Sequence, residues 1–195
     1  MAQVRNEALR TQLLECAIRH FSSRGYVAAN MLEIAEEVGV TRGPLYYYFS
    51  SKAELYLAAA EYATSEMKKN YERILVAEHP VRSVLREDFA YCLQNRDNFF
   101  SSFQTGRGIP DISGIWNAFS QWLLSRKHEV FAAAKARGEL REDCDIAELI
   151  TFIYVFYHGV NHTAALSARL DGFSGSMLSD PTEFFMRIVA ERYLA

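Results

Sequence analysis

Apolar residues three or four positions apart recur along most of this chain, and this spacing constrains its fold more than any other feature. Such spacing places apolar side chains on one face of an α-helix. It is found at Leu9, Leu13, Ala17 and Phe21, at Val84, Leu85, Phe89 and Cys92, and at Leu149, Ile153, Phe156 and Val160. No run of alternating apolar and polar residues competes with it. The sequence therefore predicts an all-α fold.

Turn-forming residues divide the N-terminal quarter of the chain into short helices. Gly25 and Gly39 each follow a periodic apolar run and act as stop signals. Asn30 precedes Glu33 by three positions, which is the spacing of a capping box. We therefore expect three helices in this part of the chain, at about residues 5–23, 31–38 and 42–48.

A long fourth helix is predicted next. Ser51 and Glu54 form a second capping box, and the periodic pattern then continues almost to Pro80. Because this helix begins beside a short one and runs far beyond it, we expect it to join two domains. The boundary is placed between residues 1–52 and residues 53–195, and the larger domain is expected to be a helical bundle.

Composition narrows the class of protein further. Cys16, Cys92 and Cys144 are odd in number and form no C-x-x-C pair, so neither a disulfide framework nor a zinc site is indicated. The start of the chain carries charged residues rather than the apolar core of a signal peptide, and the most apolar stretch, residues 149–160, is too short to cross a bilayer. We expect a cytoplasmic protein without a membrane partner, metal ion or cofactor.

Charge is distributed unevenly along the chain. The formal net charge is −3, which by itself argues weakly against a nucleic-acid partner, because Lys and Arg supply most of the affinity for phosphate. Residues 1–52 nevertheless carry six Lys or Arg and five Asp or Glu, whereas the remainder carries fifteen and nineteen. The small positive excess therefore lies in the N-terminal domain.

The tightest turn lies between the second and third predicted helices. Only Val40 separates the stop signal Gly39 from Thr41, a residue type that caps helix starts. Pro44 is compatible with the first turn of the short helix that follows. Two short helices joined by a glycine-containing turn are typical of a helix-turn-helix, whose second helix lies in the major groove of DNA.

The start of the third helix presents groups that suit a phosphate or a base edge. Thr41 contributes a hydroxyl, Arg42 a guanidinium, and Gly43 a backbone without a side chain. Unpaired N–H groups and the helix dipole also favour phosphate oxygens at such a position. Arg42 is the main candidate for reading guanine, because Pro44 has no donor and tyrosine reads bases poorly.

Three consecutive tyrosines, Tyr46, Tyr47 and Tyr48, occupy the rest of this helix. Because Leu45 and Phe49 already fill its inward stripe, we expect at least two of the three phenols to be exposed. An exposed phenol can donate a hydrogen bond to phosphate while its ring touches sugar or a thymine methyl group.

An alternative reading remains open for these residues. The tyrosines could form an aromatic patch for protein contact, and Arg42 and Lys52 could be ordinary solvated charges. Each residue taken singly favours this alternative. Their combination behind a Gly-Val-Thr turn instead favours DNA contact, with Lys52 adding a charge at the first turn of the next helix.

One longer pattern unites these residues. Its elements are Phe21-x-x-x-Gly25-Tyr26, Ile34-Ala35-x-x-x-Gly39-Val40-Thr41-Arg42-Gly43-Pro44-Leu45-Tyr46-Tyr47-Tyr48-Phe49 and Lys52-x-x-Leu55. The pattern resembles the signature of the tetracycline-repressor (TetR) family, and the resemblance covers roughly residues 8–60. It implies a transcription repressor that binds a palindromic operator in double-stranded DNA as a homodimer. It also implies release of the operator when a small molecule enters the C-terminal domain.

By this resemblance the third helix is the recognition helix, and base and phosphate contacts concentrate at its start. Tyr46, Tyr47 and Lys52 match phosphate-contacting positions of the family, whereas Tyr48 stands where many members have histidine. Binding to DNA would associate the protein with the nucleoid. The positions expected to contact DNA are Asn30, Thr41, Arg42, Gly43, Pro44, Tyr46, Tyr47, Tyr48 and Lys52.

The larger domain carries more aromatic residues than close packing requires. The resemblance makes some of them the wall of a pocket for a small apolar or aromatic effector, whereas the alternative is an ordinary aromatic core. Two histidines four positions apart suit polar groups in that pocket or at a dimer contact, and they are too few for a metal site. The candidate effector residues are Phe89, Phe100, Phe103, Trp116, Phe119, Phe152, Phe156, His158 and His162.

The resemblance also implies that the last two helices pair with those of a second copy, here at about residues 146–170 and 181–194. Small residues on the first of these helices permit close approach, and apolar residues on the second supply buried area. The candidate dimer residues are Gly159, Ala164, Ala168, Phe184, Phe185, Ile188 and Val189.

No catalytic motif accompanies the DNA-binding pattern. The sequence contains no G-x-S-x-G, no P-loop and no Rossmann glycine pattern, so an enzyme is not expected. Two kinds of regulator remain. One is a repressor released by an effector, and the other is a helical DNA-binding adaptor or activator without a small-molecule effector, which needs no cavity.

Overall fold

The computed structural model describes residues 6–95, 108–167 and 178–195, and only the backbone of residues 164–167. Within these ranges the chain forms eight α-helices and, apart from one isolated bridge, no β-structure. They are α1 (Glu7–Ala28), α2 (Met31–Val38), α3 (Arg42–Tyr48), α4 (Lys52–Ile74), α5 (Val81–Gln94), α6 (Ser113–Ala136), α7 (Ile146–Ser167) and α8 (Pro181–Arg192). The predicted all-α fold is confirmed. None of the helices described has both the length and the apolarity that crossing a bilayer requires.

Side-chain caps define the starts of the first two helices. Asn6 and Asn30 each accept hydrogen bonds from backbone N–H groups in the first turn of α1 and α2. The capping box predicted at Asn30 lacks its second half, because Glu33 forms an ion pair with Arg24. The side-chain cap of α2 therefore comes from Asn30 alone.

The capping box predicted at Ser51 is present in a shifted form. The Oγ of Ser51 accepts the N–H of Glu54 at 3.1 Å. The Glu54 carboxylate, however, accepts the N–H and the hydroxyl of Ser50, at 2.7 and 2.6 Å. These bonds lower the pKa of Glu54 and fix the start of α4.

Helix α1 is bent near its end. Gly25 has φ +76° and ψ 168°, a conformation that a residue with a Cβ rarely adopts. The helix predicted to end at about residue 23 therefore continues beyond a kink to Ala28. The last turn places the Tyr26 ring 6.1 Å from Phe21 and 4.9 Å from Tyr56, between ring centroids.

The described residues divide into two compact units. The head unit comprises those of Met1–Lys68 and Asp97–Phe119, and the body unit comprises those of Lys69–Arg96 and Ser120–Ala195. The head core takes residues from α1, α2, α3, the first turns of α4 and the segment before α6. Its largest fully or nearly fully buried side chains are Leu13, Leu14, Phe21, Ile34, Leu45, Phe49, Leu55, Tyr56 and Ile112. The domain boundary at residue 52 stays a prediction, although the head core reaches further into α4.

Aromatic rings form the centre of the body unit. Phe185 stacks on Phe89 with ring centroids 4.3 Å apart and an interplanar angle of 8°. Phe152 and Phe156 lie 6.0 and 5.7 Å from the same Phe185 ring. A buried ion pair between Lys127 and Asp88 lies in the same unit, at 2.6 Å.

Candidate nucleic-acid interface

The turn between α2 and α3 is as short as the sequence predicts. Gly39 has φ +81°, which favours glycine, and its N–H donates to the Glu36 carbonyl at 3.0 Å. The N–H of Val40 donates to the carbonyl of Ala35 at 2.9 Å. Thr41 stands at the N-cap of α3, but its side chain makes no capping hydrogen bond. This turn brings α3 directly after α2, as a helix-turn-helix requires.

Helix α3 has one buried and one exposed face. Leu45 and Phe49 are 0% and 2% exposed, and they attach the helix to the head core. Tyr46 and Tyr47 are 37% and 47% exposed, which confirms that at least two of the phenols lie outside. The positions at the start of the helix are also accessible: Thr41, Arg42 and Gly43 are exposed and Pro44 is half-buried.

The Arg42 side chain packs against its own helix. Its guanidinium carbon lies 4.8 Å from the centroid of the Tyr46 ring, one helical turn away. An arginine over an aromatic face is stabilised by a cation–π interaction, which also limits the positions that the side chain samples. The candidate base reader and a candidate phosphate contact are thus neighbours on one surface.

An open depression of about 480 Å³ lies beside this surface. Three of the predicted DNA contacts, Asn30, Tyr46 and Lys52, line it together with residues 27–29, Met31, Ser50 and Ser51. The structure therefore brings together residues that come from the start of α2, from α3 and from the start of α4.

Lys52 is fixed by contacts of its own. Its Nζ donates to the carbonyl of Val27 at 2.9 Å and lies 4.9 Å from the centroid of the Tyr26 ring. Burial lowers the pKa of this lysine. An ammonium group has three donors, so the bond to Val27 is compatible with a further bond to phosphate.

Tyr48 differs from the other two tyrosines, and its predicted DNA contact is not supported by the geometry. Its hydroxyl accepts the N–H of Asn6 at 2.7 Å and donates to the carbonyl of the same residue at 3.0 Å. The side chain is half-buried. Because both bonds go to the start of α1, Tyr48 ties α3 to α1 within the head unit.

Replacing Tyr48 with phenylalanine tests this assignment. The variant loses two hydrogen bonds to Asn6, so its free energy of unfolding should fall by about 1 kcal/mol, while its affinity for DNA stays unchanged. Urea denaturation and a fluorescence-polarisation titration with DNA measure the two quantities. A marked loss of DNA affinity at unchanged stability would show that Tyr48 contacts DNA.

The candidate effector residues are distributed over both units. Phe89 is fully buried, and Phe152 and Phe156 are half-buried in the ring cluster of the body unit. Trp116 and Phe119 belong to the head unit, with ring centroids 5.6 Å apart. Phe100 and Phe103 lie outside the described residues. Among the described residues, the predicted set thus falls into two groups, the three body-unit phenylalanines and the Trp116–Phe119 pair of the head unit.

The two histidines lie on α7, as predicted. Both side chains are exposed, and the His158 ring lies 4.2 Å from the Tyr154 ring, between centroids. Partial burial lowers the pKa of His158. In the described parts of the chain no acidic or cysteine side chain joins His158 and His162 as a third metal ligand.

The candidate dimer residues separate into two groups. Phe185 and Val189 are fully buried within one chain, so their predicted place at the dimer interface is corrected to the core of the body unit. Phe184 and Ile188 are half-buried, and Gly159 is exposed. The side chain of Ala164 and the whole of Ala168 lie outside the described residues.

Two exposed apolar residues on α7 were not predicted. Tyr154 and Val155, which are adjacent, are 60% and 61% exposed. With His158 and Gly159, one turn further on, they form an accessible stripe along the helix. The available signal was the nearly continuous apolar run of α7, which one buried face cannot accommodate.

A helical fold whose head unit exposes the second helix of a helix-turn-helix is that of a DNA-binding regulator. Residues 13–59 match the family of bacterial regulatory proteins described as the tetR family. Over 155 residues the chain is 34% identical to the transcriptional repressor AcnR of Corynebacterium diphtheriae, covering 77% of each protein. The chain belongs to the TetR family of transcriptional regulators, as its signature predicts.

Other relatives agree with this assignment. A stretch of 52 residues, 27% of this chain and 24% of the relative, is 54% identical to the transcriptional activator FasR of Mycolicibacterium smegmatis. The fold resembles that of SmeT, the repressor of a Stenotrophomonas maltophilia multidrug efflux pump, in complex with triclosan. This match has a TM-score of 0.71 at 19% identity and covers 96% of this chain and 92% of SmeT. These relatives act as transcriptional regulators, which is not an enzymatic role.

Proposed function

We propose that this chain is a ligand-responsive repressor that binds a palindromic operator as a homodimer and is released by a small-molecule effector. The exposed face of α3 carries the DNA-binding part of this proposal. Arg42, Tyr46 and Tyr47 are accessible there, while Leu45 and Phe49 hold the helix on the head core. A short helix fixed in this way can enter the major groove without rearrangement of the head unit. This activity would place the protein in the cytoplasm, at the nucleoid.

The exposed groups are suited to two kinds of DNA contact, with the phosphate backbone and with base edges. Phenol hydroxyls and the Lys52 ammonium suit phosphate oxygens, which carry no sequence information and set position on the duplex. The guanidinium of Arg42 can form two parallel hydrogen bonds with the O6 and N7 of guanine. We therefore assign backbone contact to Tyr46, Tyr47 and Lys52, and base reading to Arg42.

Two substitutions distinguish these roles. Tyr47→Ala should weaken binding to operator and to random DNA by the same factor, because a phosphate contact is independent of sequence. Arg42→Ala should weaken operator binding more than random binding, with a loss of discrimination of about 1–3 kcal/mol at one base pair. Titrations with both DNAs at one salt concentration measure the difference.

Arg82→Ala is the matched control, because Arg82 is an exposed arginine of α5 in the body unit. It should leave both affinities unchanged. An equal loss on operator and random DNA for Arg42→Ala would contradict its assignment as base reader.

The exposed stripe of α7 supports the homodimer. Tyr154 and Val155 are accessible in the single chain, and Gly159 permits close approach of a second helix. Selecting bound DNA from a random pool tests this symmetry. A palindrome with half-sites one helical turn apart, or a multiple of one turn, supports two copies related by a twofold axis. A single asymmetric site contradicts it.

The aromatic cluster of the body unit supports an apolar or aromatic effector. The half-buried rings of Phe152 and Phe156 are able to contact such a molecule after a small displacement. A compound that raises the melting temperature and also releases the selected operator would support an effector-responsive repressor. A reporter gene placed behind that operator should be less active when the protein is present, whereas higher activity would indicate an activator.

A further inference from the structure

Three side chains with metal-binding atoms converge between α1 and α2, and none of them belongs to the predicted DNA-contacting set. Cys16 and His20 lie one turn apart on α1, and Glu37 comes from α2. One ligand atom from each residue lies within 4.8 Å of the other two. They contribute sulfur, nitrogen and oxygen, respectively.

The surroundings of this cluster are partly closed. Cys16 and His20 are buried, at 0% and 5% exposure, whereas Glu37 is exposed and leaves a route from solvent. The Nε2 of His20 lies 2.8 Å from one Glu37 oxygen, and Arg19 donates to the other at 2.7 Å. The second ring nitrogen of His20, Nδ1, is buried and has no hydrogen-bond partner in the part of the chain that the structure describes. A buried ring nitrogen without a hydrogen-bond partner is unusual in a protein core.

The donor set selects a class of ion. Thiolate, imidazole and carboxylate are the three ligand types that zinc takes in proteins, and hard ions such as Mg²⁺ or Ca²⁺ do not favour sulfur. Three protein ligands leave a fourth tetrahedral position for water. We propose that Cys16, His20 and Glu37 form a binding site for a divalent ion of the zinc class that links α1 to α2.

Only small movements are needed to reach that geometry. Ligand atoms around tetrahedral zinc lie roughly 3.5 Å apart. The ligand atoms of the three residues, which lie up to 4.8 Å apart, must therefore move closer together. The His20 Nε2 and the Glu37 oxygen, which are 2.8 Å apart, must separate slightly. Glu37 is exposed and able to adjust its rotamer, and Arg19 is able to remain on its outer oxygen.

Coordination also requires the loss of one proton. The thiolate rather than the thiol is the ligand of a metal ion, so the ion displaces the Cys16 thiol proton, which passes to water.

Cobalt(II) is the probe for this site, because a cobalt–thiolate bond produces a charge-transfer absorption in the near ultraviolet that binding through nitrogen and oxygen alone does not. The full-length protein should develop this band on addition of one equivalent of cobalt(II), and zinc(II) should remove it. Cys16→Ala should abolish the band, while Cys92→Ala and Cys144→Ala, which change the other two thiols, should retain it. Absence of the band, or its persistence in Cys16→Ala, would overturn the proposal.

A second pair of variants tests whether the Glu37 carboxylate is a ligand, without altering the head core. Glu37 and its neighbour Glu36 are both exposed. Glu37→Gln should weaken zinc(II) binding by more than the roughly 10- to 100-fold that loss of an outer-shell partner causes, whereas Glu36→Gln should have no effect. Competition with a chromophoric chelator measures both constants. Equal affinities of the two variants would show that Glu37 is not a ligand and would contradict the three-residue site.

Discussion

Replacing Lys127 with methionine is expected to lower the free energy of unfolding by about 3–5 kcal/mol. The Nζ of Lys127 lies 2.6 Å from Oδ2 of Asp88, and the two side chains are only 8% and 1% exposed. Removal of the ammonium leaves a carboxylate in the core without its counter-charge. The other oxygen of Asp88 already lacks a hydrogen-bond partner among the described residues. Denaturant titration followed by circular dichroism measures the loss.

Two further variants make this result specific. The double variant Asp88→Leu/Lys127→Met removes both charges and should recover most of the stability, because two apolar side chains replace a buried pair. Arg86→Met breaks the exposed pair with Glu183 and should change stability by no more than about 1 kcal/mol. If the Lys127→Met variant were as stable as the wild type, the buried Asp88 carboxylate would not need the Lys127 ammonium for its stability in the core.

Phe185→Ala is expected to reduce the free energy of unfolding by a similar amount, about 3–5 kcal/mol. The Phe185 ring is fully buried between Phe89, at 4.3 Å, and Phe152, at 6.0 Å, measured between ring centroids. Truncation to alanine removes these contacts and leaves a cavity at the centre of the body unit. Thermal and denaturant unfolding measure the effect.

The neighbouring Phe184 is the matched control for this prediction, because it is only half-buried. Phe184→Ala should cause a smaller loss. If Phe185 acts in the core, the loss persists at every protein concentration. If it acts between two copies, the loss varies with concentration, because dissociation is then linked to unfolding, and our assignment of Phe185 to the core would be wrong.

Sequence reasoning identified the features that depend on local spacing. The second and third helices begin and end at the predicted residues, because the Asn30 side chain caps the start of α2, Gly39 ends it in the left-handed conformation, and the short turn that follows leads directly into α3. The inward stripe of Leu45 and Phe49 followed from helical periodicity alone. The exposure of Tyr46 and Tyr47 followed in turn, because Leu45 and Phe49 already occupy the buried face of this short helix.

Features that depend on contacts between helices were missed. Tyr48 bonds to Asn6, 42 positions away, and nothing local distinguishes it from the two tyrosines before it. Phe184 and Phe185 are adjacent on α8, so which of them faces inward depended on the packing of α5 and α7 against it. The cluster of Cys16, His20 and Glu37 likewise required α1 and α2 to meet. Its local signal was the four-residue spacing of a cysteine and a histidine.

The contacts of Lys52 have a consequence for the entropy of association. A lysine on an open surface samples many rotamers and loses up to about 2 kcal/mol of conformational entropy when it is immobilised. The carbonyl of Val27 and the ring of Tyr26 already restrict the Lys52 ammonium in the free protein. Part of that entropy is therefore lost during folding rather than on contact with phosphate. For the proposed operator complex, the head unit arrives preorganised, and association carries a smaller entropic penalty than a mobile lysine would impose.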